Sequence, residues 1–318
     1  MKFKFRVDAG NRIGLGHLMR CMSIAQILKR NNAKSIFFLK QCDEKILNVL
    51  EREGYEYKVL QNDEMFLNYL EHTDRVILDG YHFDSQYELQ IKERAFRVVT
   101  IDDLQHRHFY SDVVINHTPG INALLYKKEA YTEIYSGLNY CLLREEIRRS
   151  DRRDQAPQKL QNGMLCLGGE DPLNFTVEMS QEILDDGEKG RFLDIIVGPA
   201  YRHLDLLRQL GERYTAKMKI HVDVRVNSLI CLIQNADFAV VSASTVALEC
   251  IFLRIPLYLI KTAENQAANY NYLVAQGVAC PFSEITSYSY DIGVAMLQEQ
   301  RSAFTEDIES NIIAILFK

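Results

Sequence analysis

The chain has 318 residues, 47% apolar and 25% charged, with a formal net charge of −6. That length suits two domains with separate cores, and the composition excludes a disordered or fibrous chain. An acidic balance leaves no global basic field, so nucleic acid is not expected as a partner.

Seven cysteines, at 21, 42, 141, 166, 231, 250 and 280, form no Cys-x-x-Cys pair. This usage predicts reduced thiols in a cytosolic protein. No run approaches the ~20 apolar residues of a membrane span, and no apolar stretch follows a basic start, so a cytoplasmic location is expected.

Lys2 to Val7 alternates as a short strand does, and Leu18, Met19, Met22, Ile24, Ala25, Ile27 and Leu28 recur at helical spacing. Between them runs a loop with Gly14, Gly16 and His17. The pattern then predicts a strand over 33–39, a helix over 44–53, a strand over 55–60 and a helix over 65–71. Strands follow at 75–79, 97–102 and 113–116, with a helix over 86–94. Strand and helix in alternation predict a parallel sheet covered on both faces. Polar residues collect beyond the strand ends: Asp79, Tyr81 and His82, then Asp102 and Asp103, then Asn116 and His117. Ligands of open α/β sheets bind at that rim.

The charged stretch from Arg144 to Lys159, containing Pro157, reads as a solvated linker, because Glu145, Glu146, Asp151 and Asp154 interleave with its arginines. Domains are expected over 1–145 and 158–318. The second half repeats the alternation, with strands at 164–168, 194–197, 220–224, 238–241 and 256–260. Its helices are predicted over 174–184, 204–214, 228–235, 246–253 and 265–276. Helical patterns at 291–300 and 306–317 close the chain, and the last could pack back on the first domain. The expected fold is α/β, two Rossmann-like doubly wound domains facing across a cleft.

Several stretches carry chemistry. Gly14 and Gly16 let the backbone turn and a ligand approach, and His17 falls where a helix dipole disfavours an imidazolium. A general base and a capping histidine both fit, and His82 competes for the base role. Met19 stands where a dinucleotide fingerprint requires its third glycine, so no such cofactor is expected.

Ser244 and Thr245 stand at a strand-to-helix step suited to a diphosphate, or simply to a cap. Glu249, one turn on, is placed for ribose hydroxyls, and a capping box does not explain it. Gly168-Gly169 with Asp171 is either a structural turn or a ligand-lining one, Asp171 capping a helix that begins at Pro172. Asn265 and Gln266 offer neutral amides for a sugar, or surface caps. Asp102, Asp103, His106, His108 and His117 lack metal-ligand spacing, so no metal is expected. No Gly-x-Ser-x-Gly elbow is present.

Taken together, Gly14-x-Gly16-His17-x-x-Arg20, Leu78-Asp-Gly-Tyr81, Ile101-Asp-Asp103, Tyr140-x-Leu-Leu-Arg-Glu145, Gly168-Gly169-x-Asp171-x-x-Asn174, Ser242-Ala-Ser-Thr-x-x-x-Glu249 and Asn265-Gln266 resemble the nucleotide-sugar hydrolases of pseudaminic acid biosynthesis. Related proteins of spore-coat polysaccharide synthesis share the pattern. The resemblance runs through nearly the whole chain. It implies a GT-B-type fold and metal-independent, inverting hydrolysis of UDP-2,4-diacetamido-2,4,6-trideoxy-β-L-altropyranose to UDP and free sugar, without a cofactor.

By position it implies that His17 activates water with Tyr81 assisting. Gly14, Gly16, Arg20, Asp103, Gly169 and Asp171 would line the substrate. Ser244, Thr245 and Glu249 would hold UDP, while Asn265 and Gln266 would reach sugar and phosphates. A transferase of the same fold or an inactive nucleotide-sugar-binding protein are the alternatives; a transferase using a lipid-linked acceptor should show an apolar or basic patch on its first domain, and the sequence shows no clear one.

Overall fold

The computed structural model describes residues 1–10, 16–169, 171–185, 191–304 and 307–318, without the side chain of Asn265. Contacts divide the chain into one unit of Met1–Glu145 with Glu306–Lys318 and a second of Glu146–Thr305. The linker residues after 145 therefore belong with the second unit, and the final helix with the first.

The first unit opens with β1 (Lys2–Val7), α1 (Gly16–Arg30), β2 (Lys34–Leu39), α2 (Glu44–Arg52), β3 (Glu56–Val59), α3 (Glu64–Leu67) and β4 (Arg75–Asp79). It continues with α4 (Ser85–Lys92), β5 (Arg97–Ile101), β6 (His108–Phe109), β7 (Val113–Asn116), β8 (Lys127–Lys128) and β9 (Glu133–Ser136). Among the described residues, seven of these strands pair in the order β3-β2-β1-β4-β5-β7-β9, every pair parallel. Strand order reverses between β1 and β4, so their carboxyl ends open the crevice where such sheets take ligands.

Apolar spacing on α1 buries Leu18, Cys21, Met22, Ile24, Ala25, Ile27 and Leu28, each larger side chain contributing about 1.5–3 kcal/mol. This fixes the helix start, and hence His17, against the ends of β1 and β4. On the other side of the sheet Phe38, Phe66, Leu78, Phe83 and Ile91 share a core. The departures from expectation are local, the two-residue strands β6 and β8 among them. The helix expected over 65–71 is a single turn, and the edge strand β9 was not anticipated because its four residues are all half-buried.

The second unit runs α5 (Glu145–Arg148), β10 (Asn162–Cys166), α6 (Phe175–Asp185), β11 (Phe192–Val197), α7 (Leu204–Arg213), β12 (Met218–Val222) and α8 (Val226–Asn235). Then come β13 (Phe238–Ser242), α9 (Thr245–Leu253), β14 (Leu257–Ile260), α10 (Ala267–Ala275), β15 (Cys280–Pro281) and α11 (Tyr290–Ala303). Its parallel sheet has the order β12-β11-β10-β13-β14-β15, reversing between β10 and β13. The turns after those two strands, Gly168-Gly169 and Ser242–Thr245, flank that reversal. Finally α12 (Ile308–Phe317) packs on α1 of the first unit.

Candidate active site

His17, the second residue of α1, is 6% exposed and stands beside the end of β4. Its Nδ1 lies 2.7 Å from Oδ1 of Asp79, the last residue of β4. Asp79 is fully buried, and Arg20 grips it with two bonds, Nε to Oδ2 at 2.6 Å and Nη2 to Oδ1 at 2.7 Å. Burial alone would push this carboxyl up, yet the Arg20 charge and the hydrogen bonds hold it below the usual carboxylate range.

An ionised carboxylate 2.7 Å away requires a proton on Nδ1, which assigns the tautomer. Arg20 Nη2 also lies 3.0 Å from Nδ1, but both atoms are donors and that contact is only a consequence of sharing Asp79. In the neutral ring the lone pair is therefore on Nε2. This is the arrangement in which a carboxylate orients an imidazole for proton abstraction.

The guanidinium of Arg20 also donates to Asp103 Oδ2 at 2.9 Å and His117 Nε2 at 3.2 Å. Since Nε2 of His117 accepts, its own proton is on Nδ1, which has no partner among the described residues. Burial, followed by the Arg20 charge, lowers the His117 imidazole to about 4. Tyr81 is 44% exposed, packs edge-on to the His17 ring at 4.5 Å and donates to Asp103 Oδ2 at 2.9 Å. Burial and the Asp103 carboxylate push its hydroxyl well up, keeping it a donor. Asp102 instead serves the loop, accepting from Tyr126 at 2.8 Å and from the Gln105 amide at 3.0 Å.

The first unit thus brings together His17, Tyr81, Asp103 and Arg20, but with different duties. Arg20, expected to line the substrate, is 6% exposed and has its guanidinium engaged by Asp79, Asp103 and His117, so it braces the site. Its helical position was legible, whereas its direction depends on Asp79, 59 residues away in sequence. Gly16 is exposed with nothing packed where a Cβ would stand, and Gly14 lies outside the described residues.

His82 pairs with a different acid, Nε2 lying 2.9 Å from Asp8 Oδ2. Asp8, Asp63 and His82 present atoms within 4.8 Å of one another, as metal ligands do. Arg6, however, bonds Asp8 at 2.7 and 3.0 Å and Asp63 at 2.6 Å, supplying the positive charge a cation would bring.

In the second unit, β13 passes through Ser242-Ala243-Ser244 into α9. Ser244 is the N-cap residue but makes no side-chain cap bond; its Oγ lies 3.0 Å from that of Ser242. Asp43, Asp84, Ser289 and Asp307 cap their helices, whereas α7, α8 and α10, like α9, have no side-chain cap bond. The start of α9 therefore keeps donors and dipole available, with Ser244 and Thr245 half-buried beside them. Asn269, which helical periodicity alone did not mark, pins this turn by donating to Ala243 O at 2.8 Å. Glu249 is on the same helix but only 1% exposed, more enclosed than expected for a group meeting a ribose.

Asp171, expected to line the ligand or to cap, caps. Its carboxylate accepts from the Phe175 and Thr176 amides at 3.1 and 2.7 Å and from the Thr176 hydroxyl at 2.6 Å. The helix starts at Phe175 rather than Pro172, because Asp171 (φ +38°) and Asn174 (φ +58°) are left-handed. Gly169 is exposed and open around its missing Cβ. Gln266 accepts from the Thr262 amide at 3.0 Å and its hydroxyl at 3.2 Å, which turns its NH2 outward as a donor. The Asn265 side chain lies outside the described residues.

No family model matches the chain. Over 280 residues it is 25% identical to an uncharacterized protein of Methanocaldococcus jannaschii, covering 85% of this chain and 58% of that one. The chain thus spans little more than half of that relative's length. It is 22% identical over 288 residues to the UDP-2,4-diacetamido-2,4,6-trideoxy-beta-L-altropyranose hydrolase of Campylobacter jejuni, covering 87% of this chain and 97% of that one. The crystal structure of Acinetobacter baumannii MurG superimposes with a TM-score of 0.69 at 13% identity, covering 100% of this chain and 99% of that one. The fold is accordingly the GT-B type, built from two Rossmann-like domains. No helix among the described residues is long and apolar enough to cross a membrane.

Proposed function

We propose that this chain hydrolyses a UDP-linked 2,4-diacetamido-2,4,6-trideoxy sugar to UDP and free sugar, with inversion at the anomeric carbon. The observation that carries the reading is the 2.7 Å bond from His17 Nδ1 to Asp79, which directs the Nε2 lone pair away from the acid. In the proposed step Nε2 takes a proton from water as the water oxygen bonds to the anomeric carbon. The bond from that carbon to the phosphate oxygen breaks, and its electron pair leaves on UDP. A diphosphate leaving group needs its growing charge held more than it needs a strong acid, and the uncapped amides of α9 with Ser244 and Thr245 suit that task. The 22% identity to a UDP-sugar hydrolase supports the same substrate class.

The test is turnover of such a UDP-sugar in H2 18O, followed by NMR and mass spectrometry without acceptor. Label should enter the free sugar, not UDP, and the first anomer observed should be inverted. His17→Asn should lower kcat by about 10²–10⁴-fold, the usual worth of a positioned base, with UDP affinity retained. Undiminished turnover in that variant would remove His17 from the chemistry.

One observation favours a second reading as a transferase. Leu124 and Leu125 are 92% and 65% exposed, beside exposed Lys127 and Lys128, a patch of the kind an acceptor with an apolar part would require. UDP release that depends on such an acceptor would favour this reading.

A further inference from the structure

The crevice between β1 and β4 holds two imidazole–carboxylate pairs, and they cross. His17 follows β1 and bonds the acid ending β4, whereas His82 follows β4 and its Nε2 lies 2.9 Å from Asp8 Oδ2, just beyond the end of β1. Register pairs Val7 with Asp79, so alternation places Asp8 on the opposite face of the sheet. The bonds from Arg6 to Asp8 and the stacking of Arg6 over Phe83 at 4.7 Å agree with that placement. One dyad therefore stands over each face, with Tyr81 between the two histidines in the chain.

Asp8 does not need His82 in order to be buried. It already accepts two bonds from Arg6 and the backbone amides of Lys40 and Gln41 at 2.6 and 3.0 Å. The dependence runs the other way: Asp8 fixes His82. The ring also packs on Phe83 at 4.0 Å, and a Cβ at Gly80 would stand 3.0 Å from its Cε1. Yet the side chain remains 35% exposed. The ring is held on three sides, and its Nδ1 makes no hydrogen bond among the described residues.

We propose that His82 is a sugar-binding subsite: Nε2 stays paired with the Asp8 carboxylate, 2.9 Å away, and Nδ1 accepts a hydrogen bond from an N–H or O–H group of the hexose. This rests on the nucleotide-sugar reading above and adds a residue that determines which sugar is held. His82 takes no proton from the attacking water.

The two ring nitrogens can be separated by substitution, since Gln places its amide near Nε2 and Asn places its amide near Nδ1. In full-length His17→Asn protein, which preserves the ligand, titration calorimetry with UDP and with the UDP-linked diacetamido sugar measures the gain due to the sugar. Adding His82→Gln should weaken the UDP-sugar by about tenfold, the worth of one hydrogen bond, and leave UDP unchanged; His82→Asn should recover most of the loss. Equal UDP-sugar affinity in His82→Gln, or equal losses for UDP and UDP-sugar, overturns the subsite. If the parent binds no UDP-sugar at all, the nucleotide-sugar reading falls with it, a result distinct from the first two.

Discussion

Asp79 shows how much one buried carboxylate can organise. It sets the tautomer of His17, takes both arms of Arg20 and lies 3.7 Å from Cys21 Sγ. The shared Arg20 couples the site to His117, whose imidazole is lowered from 6.5 to about 4. Between those values the unfolded chain binds the proton that the folded one refuses. Stability is therefore complete above pH 6.5 and falls as pH drops toward 4, by roughly 3 kcal/mol from this group. His117→Gln retains an acceptor for Arg20 without titrating, so urea unfolding midpoints of that variant should lose this part of the acid slope. Glu249 supplies a second residue-level test. If Glu249 reaches UDP despite its burial, Glu249→Gln should weaken UDP by about 1–3 kcal/mol, the usual loss when a charged hydrogen-bond partner is neutralised. Unchanged affinity in calorimetry would leave this buried acid a structural role only. At this scale the place of His17 at a helix start was legible from the glycines before it, whereas the buried course of Arg20 was not.

Among the elements, α9 and α6 show two uses of a helix start. The amides of α6 are spent on Asp171, and those of α9 meet no side-chain cap. The glycine turn preceding α6 is held by close backbone contact: a Cβ at Gly198 would stand 2.6 Å from both Cα and O of Gly169. Gly198→Ala must therefore displace that turn, and UDP affinity measured by fluorescence or calorimetry should drop by about tenfold or more. Gly211→Ala is the control. Its Cβ would meet nothing nearer than 4.0 Å on helix α7, so it should be neutral or stabilising by about 0.5–1 kcal/mol. Helix α1 could be read directly because its apolar residues recur at helical spacing, and β4 because a strand buried on both faces shows as a continuous apolar run. Strands β6, β8 and β15 have two residues each, too few to show any period, and depend on their neighbours.

For the whole molecule, the return of α12 to the first unit ties the two ends of the chain together. Arg75 donates to Leu316 O at 3.0 Å, Arg30 pairs with Glu309 at 2.9 Å, and Phe317 packs on Phe3 at 5.8 Å. Deleting residues 307–318 should lower the melting temperature of the first unit and expose its α1 face to an apolar dye, while the second unit, whose core is separate, keeps its transition. Two transitions of unchanged midpoint would show that α12 adds nothing to that core. The sequence by itself determined the alternation of strand and helix, the two-sheet architecture and the sites where polar residues gather, because periodicity, turn residues and strand ends are local properties. Only the tertiary structure decided which acid meets which histidine, that Arg20 is spent on Asp79, and that Asp171 closes a helix while Ser244 leaves one open. Those outcomes depend on groups tens of residues apart competing for the same few buried hydrogen bonds, and such competition is resolved by packing alone.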